Sequence, residues 1–217
     1  MSYQIIQQGD SLSFPGDHSF LAAASSQGDG VVLIGSEAGQ AWQQGVERAA
    51  ERSFIAIELD TECLGVHAGE DEGPANVVGF ARFRLGDDPP TALVELVRKP
   101  YTDDAALQAA RAAFESAGLT VVVCNDFPGR ILNRLVRPYY NAALRRLDEG
   151  LATASDMDKT LCLGLGYPEG PISLLKRTGL HHHYRVSQAL YQALGQEPYA
   201  PARRAQVAWA RHQKDAS

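Results

Sequence analysis

A short segment, Gly35-Ser36-Glu37-Ala38-Gly39, is the only candidate in this sequence for a phosphate-binding loop. A dinucleotide-binding loop needs the spacing G-x-G-x-x-G, because its backbone must approach a pyrophosphate closely. The close-packing glycines are missing here, and Glu37 stands where phosphate would bind. Asp60, after the next strand pattern, mimics a ribose-binding acid. We interpret Gly35 as a strand end and Asp60 as a strand cap, so we predict no nucleotide loop.

The histidines invite a metal hypothesis that their spacing does not favour. His181, His182 and His183 are consecutive, and at the start of a helix they project about 100° apart. They therefore cannot converge on one ion as an i, i+4 pair does. We predict a surface or subunit contact for them, and no metal. His67 lies in an acidic, glycine-containing segment and is expected to be a solvated loop residue.

Two other polar residues, Glu95 and Asn133, lie inside regular elements. Glu95 interrupts the apolar strand pattern Leu93-Val94-Glu95-Leu96-Val97, where a lone carboxylate is expected to have a salt-bridge partner. Asn133 is predicted one turn into a helix. An amide in that position can hydrogen-bond to the backbone of a neighbouring loop.

The elements that position these residues fall into two parts. Residues 1–125 alternate between strand and helix patterns, which is typical of an α/β sheet. We predict strands over residues 31–34, 54–59, 77–83, 92–97 and 119–124, and helices over residues 37–52 and 102–118, the latter capped by Thr102. Whether the first 28 residues add strands to the sheet or form an arm on a second subunit stays open.

Residues 126–217 are predicted to be helical almost throughout. The first helix is expected to begin at Pro128, to kink at Pro138 and to end at Gly150. Further helices are predicted from a cap at Ser155 to Leu163, and over residues 171–178, 181–194 and 202–213. The fold class is therefore α/β followed by all-α, with the domain boundary near Asn125.

Composition limits the function classes. The chain has 217 residues, of which 45% are hydrophobic, and its net charge is −6. It lacks the basic footprint of a nucleic-acid or anionic-membrane partner, and no apolar run is long enough to span a bilayer. Its three cysteines form no CxxC pair. The first residues, Met1-Ser2-Tyr3-Gln4, are not a basic segment followed by an apolar one, so we expect no signal peptide. We expect a cytoplasmic protein.

Several motifs, taken in order, carry a family resemblance. They are Val77-Val78-Gly79-Phe80-Ala81-Arg82-Phe83, the strand with Glu95, Asp126-Phe127-Pro128-Gly129, Asn133-Arg134-Leu135 and Leu163-Gly164-Leu165-Gly166-Tyr167-Pro168-Glu169-Gly170-Pro171. They resemble the 3-hydroxyacyl-CoA dehydrogenase family, most strongly in the C-terminal half. The N-terminal part is similar to the truncated Rossmann-like domain of the second half of longer, tandem family members.

The resemblance implies what each site position would do. Glu95 matches the family's carboxylate that orients a catalytic His, and Asn133 matches its amide that binds the substrate oxygen. The His itself is replaced by Ala81, which has no titratable group. The position of the family's Ser falls near Glu62. We therefore predict that Glu95 and Asn133 are catalytic positions of the family that this chain retains, whether in use or vestigial, and we expect no cofactor.

The resemblance also bears on partners. Relatives pair through the helical domain, and the apolar residues of the helix after Pro128 cover most of its surface, so we predict a homodimer. That stripe contains Leu132, Leu135, Val136, Tyr139, Tyr140, Ala143, Leu144 and Leu147. Four arginines could bind CoA phosphates, but arginines spread around a helix more often form a solvated face. They are Arg134, Arg137, Arg145 and Arg146.

These observations predict a truncated Rossmann-like sheet domain with a C-terminal helical dimerisation domain. The leading functional hypothesis is a non-catalytic or accessory family member of acyl-CoA (fatty acid-type) metabolism, in contact with an active dehydrogenase subunit. The first alternative is an active NAD-dependent 3-hydroxyacyl-CoA dehydrogenase with a rebuilt site. The second is an acyl-CoA-binding module.

Overall fold

The structure is a computed structural model that describes residues 2–215. Two compact units divide the chain, one formed by residues 2–84 and 89–131 and the other by residues 85–88 and 132–215. The first is an α/β Rossmann-like domain and the second is a helical region.

The first unit contains a six-stranded sheet in which the strands follow one another in sequence order. The strands are β1 (Tyr3–Gln7), β2 (Gly30–Ile34), β3 (Ile55–Glu58), β4 (Val77–Arg82), β5 (Leu93–Arg98) and β6 (Thr120–Asn125). β1 to β4 run parallel, β5 is antiparallel to β4, and β6 is parallel to β5. The N-terminal segment thus adds an edge strand, which the sequence left open.

Helices cover both faces of this sheet, which is why its strands are nearly continuous apolar runs. The helices are α1 (Ser19–Ala22), α2 (Ala38–Gln44), α3 (Gly65–Ala68) and α4 (Asp104–Ser116). Alternate residues of each strand enter different cores: Val32 and Ile34 join the core that contains α4, whereas Val31 and Leu33 join the core that contains α2. This alternation is the period-2 geometry of a strand.

The second unit is built from five helices and a short 3-10 turn, Glu197–Tyr199, within the described residues. The helices are α5 (Leu132–Asp148), α6 (Ala154–Leu165), α7 (Pro171–Thr178), α8 (Leu180–Leu194) and α9 (Arg203–Asp215). Its core contains Tyr140 and Leu144 of α5 together with Leu175, Ala202 and Ala205. The predicted helices over residues 171–178, 181–194 and 202–213 are confirmed to within two residues at each end.

Two predicted helices were too long. The helix predicted over residues 37–52 stops at Gln44, because Gly45 (φ 101°) and then Arg48 (φ 53°) leave the right-handed region. The helix predicted from Pro128 begins instead at Leu132. Gly129 (φ 72°) and Arg130 (φ 52°) both adopt positive φ and form a turn before it.

Two predicted caps were displaced by one or two residues. Asp103, not Thr102, caps α4 by accepting the N–H of Ala105. Thr102 instead accepts the N–H of Lys99 at 2.8 Å. Thr153, not Ser155, caps α6 through the N–H of Asp156. Neighbouring Ser, Thr and Asp side chains compete for one cap, and composition alone does not rank them.

Candidate functional site

A pocket of about 300 Å³ lies beyond the carboxyl ends of β2 and β3. In open α/β sheets, ligands bind at such ends, near a helix N-terminus. Its polar lining here is acidic, because Glu58, Asp60 and Glu62 all contribute to it together with His67. Carboxylates in a half-enclosed space disfavour an anionic ligand.

Glu58, at the end of β3, organises the floor of this pocket. Its buried carboxylate accepts hydrogen bonds from the Ser11 hydroxyl at 2.8 Å, the Ser13 N–H at 2.7 Å and the Gly35 N–H at 2.7 Å. Gly35 is the first residue after β2, so its N–H is the kind of donor that a phosphate-binding turn offers. A carboxylate of the chain itself already occupies that donor.

His67 does not lie in a solvated loop, contrary to the sequence prediction. It belongs to α3, and only 17% of its side chain is exposed. Its Nε2 lies 3.3 Å from Glu62 Oε1, while a Cβ added at Gly39 would lie 2.2 Å from its Nδ1. Burial opposes ionisation of Glu62, but hydrogen bonds from His67 and from backbone N–H groups lower its pKa. One ring nitrogen thus faces a carboxylate, and the other packs on backbone.

Glu95 lies on β5 directly opposite Ala81 on β4 in the antiparallel register. Residues opposite each other in such a pair project to the same face, with Cβ atoms about 5 Å apart. Position 81 is therefore beside the carboxylate, as the resemblance implied. Glu95 Oε1 accepts the N–H of Ile131 at 2.8 Å, and Oε2 lies 3.7 Å from Arg130 Nε. Both charged side chains are 2% exposed, so this ion pair is shielded from solvent.

The turn between β6 and α5 ties the loop after β3 in place. Asp126 accepts the N–H groups of Leu64 and Gly65, each at 2.7 Å, and so caps α3. The Gly129 N–H donates to the Thr61 carbonyl at 2.8 Å, and Arg130 donates to the Asp60 carbonyl. The Asp-x-Pro-Gly element therefore positions the segment that carries Glu62 and His67.

Asn133, in the first turn of α5, belongs to the helical unit. Its Oδ1 accepts a hydrogen bond from Arg137 Nε at 2.9 Å. Arg137 is buried, and its Nη1 lies 3.2 Å from Nδ1 of His183, which is also buried. Arg137 is therefore a core residue and not part of a solvated arginine face. Arg145 and Arg146, by contrast, make ion pairs with Glu197 and Glu149 at the surface.

The glycine- and proline-rich loop between α6 and α7 also has a physical explanation. The Asp158 carboxylate on α6 accepts the N–H groups of Ile172 and Ser173, each at 2.9 Å, at the start of α7. A Cβ at Gly170 would lie 2.2 Å from Asp158 Cβ. The loop therefore needs a glycine at this position so that the carboxylate can reach the helix end.

Other reactive groups are not arranged for catalysis or metal binding in the described residues. The ring of His181 stacks on that of His212 and lies tilted beside that of His182. Within residues 2–215, however, no group of three or more His, Cys, Asp or Glu residues could hold a metal ion. Burial raises the pKa of the Cys63 and Cys124 thiols to about 11.

Across the described residues, no helix has the length and apolarity that crossing a membrane requires.

Sequence reasoning missed Glu58 and Arg130, and it placed Arg137 and His183 wrongly, on a solvated arginine face and in a surface or subunit contact, although both are buried. All four organise these sites. Two of them left a signal. Glu58, like Glu95, is an acid within an apolar strand, and Arg137 lies three and seven residues before Tyr140 and Leu144, on the buried face of α5. Charged residues on a core face are paired, so both patterns indicated a buried polar network.

Comparisons with known proteins agree with these features. Residues 129–216 match the model of the 3-hydroxyacyl-CoA dehydrogenase, C-terminal domain. A probable 3-hydroxybutyryl-CoA dehydrogenase of Deinococcus radiodurans is 34% identical over 129 residues, which cover 59% of this chain and 46% of that protein. A 3-hydroxybutyryl-CoA dehydrogenase of Bradyrhizobium diazoefficiens is 35% identical over 147 residues, 67% of this chain and 50% of that protein.

A solved structure extends the match into the sheet unit. The (S)-3-hydroxybutyryl-CoA dehydrogenase of Ralstonia eutropha superimposes with a TM-score of 0.73 at 26% identity, covering 85% of this chain and 66% of that chain. The chain belongs to the 3-hydroxyacyl-CoA dehydrogenase family. It spans about half the length of the curated relatives it matches.

Proposed function

We propose that this chain is an accessory member of its family in acyl-CoA metabolism, without hydride-transfer activity of its own. The observation that carries the proposal is the pocket at the ends of β2 and β3. The Glu58 carboxylate accepts the hydrogen bond of the Gly35 N–H, and Asp60 and Glu62 add further carboxylates to the pocket lining. These residues do not fit the pyrophosphate of NAD, which needs free backbone donors and no negative charge beside it.

The residues around position 81 support the same proposal. A general base must reach the substrate proton with a titratable group, and Ala81 has none. Glu95, whose predicted role is to orient such a base, accepts the Ile131 N–H and lies beside Arg130 instead. His67 is a poor replacement, because Nε2 faces Glu62 and Nδ1 packs against Gly39.

A second candidate function is an acyl-CoA-binding module, and the state of Asn133 favours it. Its amide is held by a buried arginine, which keeps a hydrogen-bond donor available for a carbonyl oxygen. The relatives are dehydrogenases of 3-hydroxybutyryl-CoA by name. We therefore take a short-chain acyl-CoA as the ligand class.

We also propose that the helical unit forms a homodimer in a cytoplasmic protein, or contacts an active dehydrogenase subunit in the same way. Support comes from apolar side chains that are exposed on α5, α6 and the following loop: Leu135, Leu163, Leu165 and Tyr167. Leu163 is 86% exposed, and several exposed apolar side chains in one unit are what an interaction surface would use. Sedimentation of the wild type and of Leu163→Glu tests the homodimer, and a monomer in both would refute it.

The decisive experiment is a fluorescence titration of the purified protein with NADH, with and without acetoacetyl-CoA. We expect no saturable NADH binding up to millimolar concentration and no NADH consumption. Binding of acetoacetyl-CoA without NADH would favour the acyl-CoA-binding module. Saturable NADH binding with turnover would instead establish an active dehydrogenase with a rebuilt site.

A further inference from the structure

A line of polar side chains runs through the helical unit and ends at Asn133. Asn133, Arg137 and Asn141 lie one turn apart on α5, and His183 joins them from α8. Arg137, Asn141 and His183 are each at most 3% exposed. A buried guanidinium is costly unless its donors are hydrogen-bonded, so the hydrogen bonds of Arg137 have to be well organised.

The direction of these hydrogen bonds is set at Asn141. Its Nδ2 donates to the carbonyls of Pro198 at 3.1 Å and Tyr199 at 3.2 Å, which fixes the orientation of the amide. Its Oδ1 therefore faces the other way and accepts the Ala202 N–H at 3.2 Å. The same oxygen lies 2.9 Å from His183 Nε2. Because an amide oxygen only accepts, Nε2 must carry the proton.

The protonation of the His183 ring decides which partner donates in its hydrogen bond with Arg137. Burial, and then the nearby Arg137 charge, lower the pKa of His183 to about 3, so the ring is neutral at physiological pH. With its proton on Nε2, Nδ1 is an acceptor and takes a hydrogen bond from Arg137 Nη1 at 3.2 Å. The guanidinium has donors only, and its Nε donates to Asn133 Oδ1 at 2.9 Å.

The amide of Asn133 is consequently held in one orientation. Its oxygen faces Arg137, and its Nδ2–H₂ group is turned away and donates to no group within the described residues. We propose that Arg137, supported by His183, is a positioning residue that presents the Asn133 NH₂ to a carbonyl oxygen of a thioester or 3-oxoacyl ligand. The ligand class rests on the proposed function, whereas the positioning rests on the network alone.

The positioning is tested first without any ligand. The side-chain amide signals of Asn133 are assigned in the ¹⁵N-labelled full chain by their loss in Asn133→Asp. Arg137→Met should shift and broaden them, because the amide is then free to rotate. The matched control is Arg146→Met, which removes an arginine from the same helix but pairs only with surface Glu149 among the contacts described. It should leave the signals unchanged.

The ligand is tested by calorimetric titration with acetoacetyl-CoA. One lost orienting hydrogen bond should weaken binding by about three- to tenfold in Arg137→Met. Asn133→Ala should weaken it at least as much. The double variant should bind no more weakly than Asn133→Ala, because Arg137 acts through Asn133. If Arg137→Met does not fold, Arg137→Gln replaces it, since its shorter side chain cannot reach Asn133 and His183 together.

The ligand class and the positioning of Asn133 can be overturned separately. Wild-type protein that does not bind acetoacetyl-CoA would overturn the ligand class and the acyl-CoA-binding module, while the amide signals would still decide the positioning. Unchanged Asn133 signals in Arg137→Met would overturn the positioning. The same would follow if Arg137→Met weakened binding equally in the wild-type and Asn133→Ala backgrounds.

Discussion

The two units treat their predicted site residue in opposite ways. In the sheet unit, the Glu95 carboxylate accepts the Ile131 N–H and lies beside Arg130, so it stabilises the turn before α5. In the helical unit, Asn133 is itself the group that is supported, and its supporters Arg137 and His183 are buried. A polar residue can thus hold its own unit together, or be held in one orientation by a network around it.

This contrast indicates which residues to test for function. Glu95 has charged and backbone partners in a dry site, so its replacement should show chiefly as lost stability. Asn133 has a donor group without a partner in the described residues, so its replacement should show chiefly as lost binding. The predictions that follow separate these two kinds of effect.

The largest expected effect is on stability in the sheet unit. Glu95→Gln leaves the buried Arg130 guanidinium without its carboxylate, and breaking a buried ion pair costs about 3–5 kcal/mol. Urea denaturation of the full chain measures it. Glu95→Gln combined with Arg130→Met should recover much of the loss, because neither charge then remains buried. The surface pair Arg111–Glu115 gives the control Glu115→Gln, which should change little. A loss in Glu95→Gln as small as the control's would contradict this account.

The next effect is a pH dependence that belongs to the helical unit. The pKa of His183 is about 3 in the folded chain, below the ordinary value of 6.5. As pH falls below 6.5 the unfolded state binds a proton that the folded state does not, so stability falls until about pH 3. The loss is about 1.4 kcal/mol per pH unit, or about 2 kcal/mol between pH 6.5 and 5.

His183→Gln removes this titration and keeps a side chain that can hydrogen-bond. We expect the free energy of unfolding, measured by urea at several pH values, to fall less steeply in this variant. The quantity compared is the slope of the unfolding free energy against pH in the wild type minus the same slope in the variant, because the two proteins share all other titratable groups. Equal slopes would mean that His183 does not stay neutral and buried, and the direction of the Arg137 hydrogen bonds would lose its basis.

A smaller effect compares the two helix-capping carboxylates, one in each unit. Asp126 accepts two N–H groups at the start of α3, and Asp158 accepts two at the start of α7. Loss of a cap costs about 1 kcal/mol. Asp158→Ala should cost more than Asp126→Ala, because Asp158 also accepts the Ser173 hydroxyl at 2.6 Å. Thermal unfolding of the two variants checks the order, and the reverse order would be inconsistent with it.

The sequence predicted the elements better than the contacts. Apolar runs such as Val31–Ile34 and the helix over 171–178 follow from local periodicity, and both are present. The end of α2 depends on the positive φ of Gly45 and Arg48, which a helical pattern does not reveal. The partners of Glu58 come from Ser11, Ser13 and Gly35, and contacts between such distant residues are set by the folded chain.

The smallest expected effect is on activity, and it tests the sheet unit directly. Ala81→His would restore an imidazole opposite Glu95. Ala81 is buried, so the added volume should cost about 1–3 kcal/mol of stability, and folding has to be verified by denaturation. We expect no NADH consumption with acetoacetyl-CoA in this variant or in the wild type, because the acidic pocket at Glu58 still disfavours the cofactor's phosphates. Substantial turnover from this single change would show that the lack of a base at position 81, and not the acidic pocket, prevents NADH consumption.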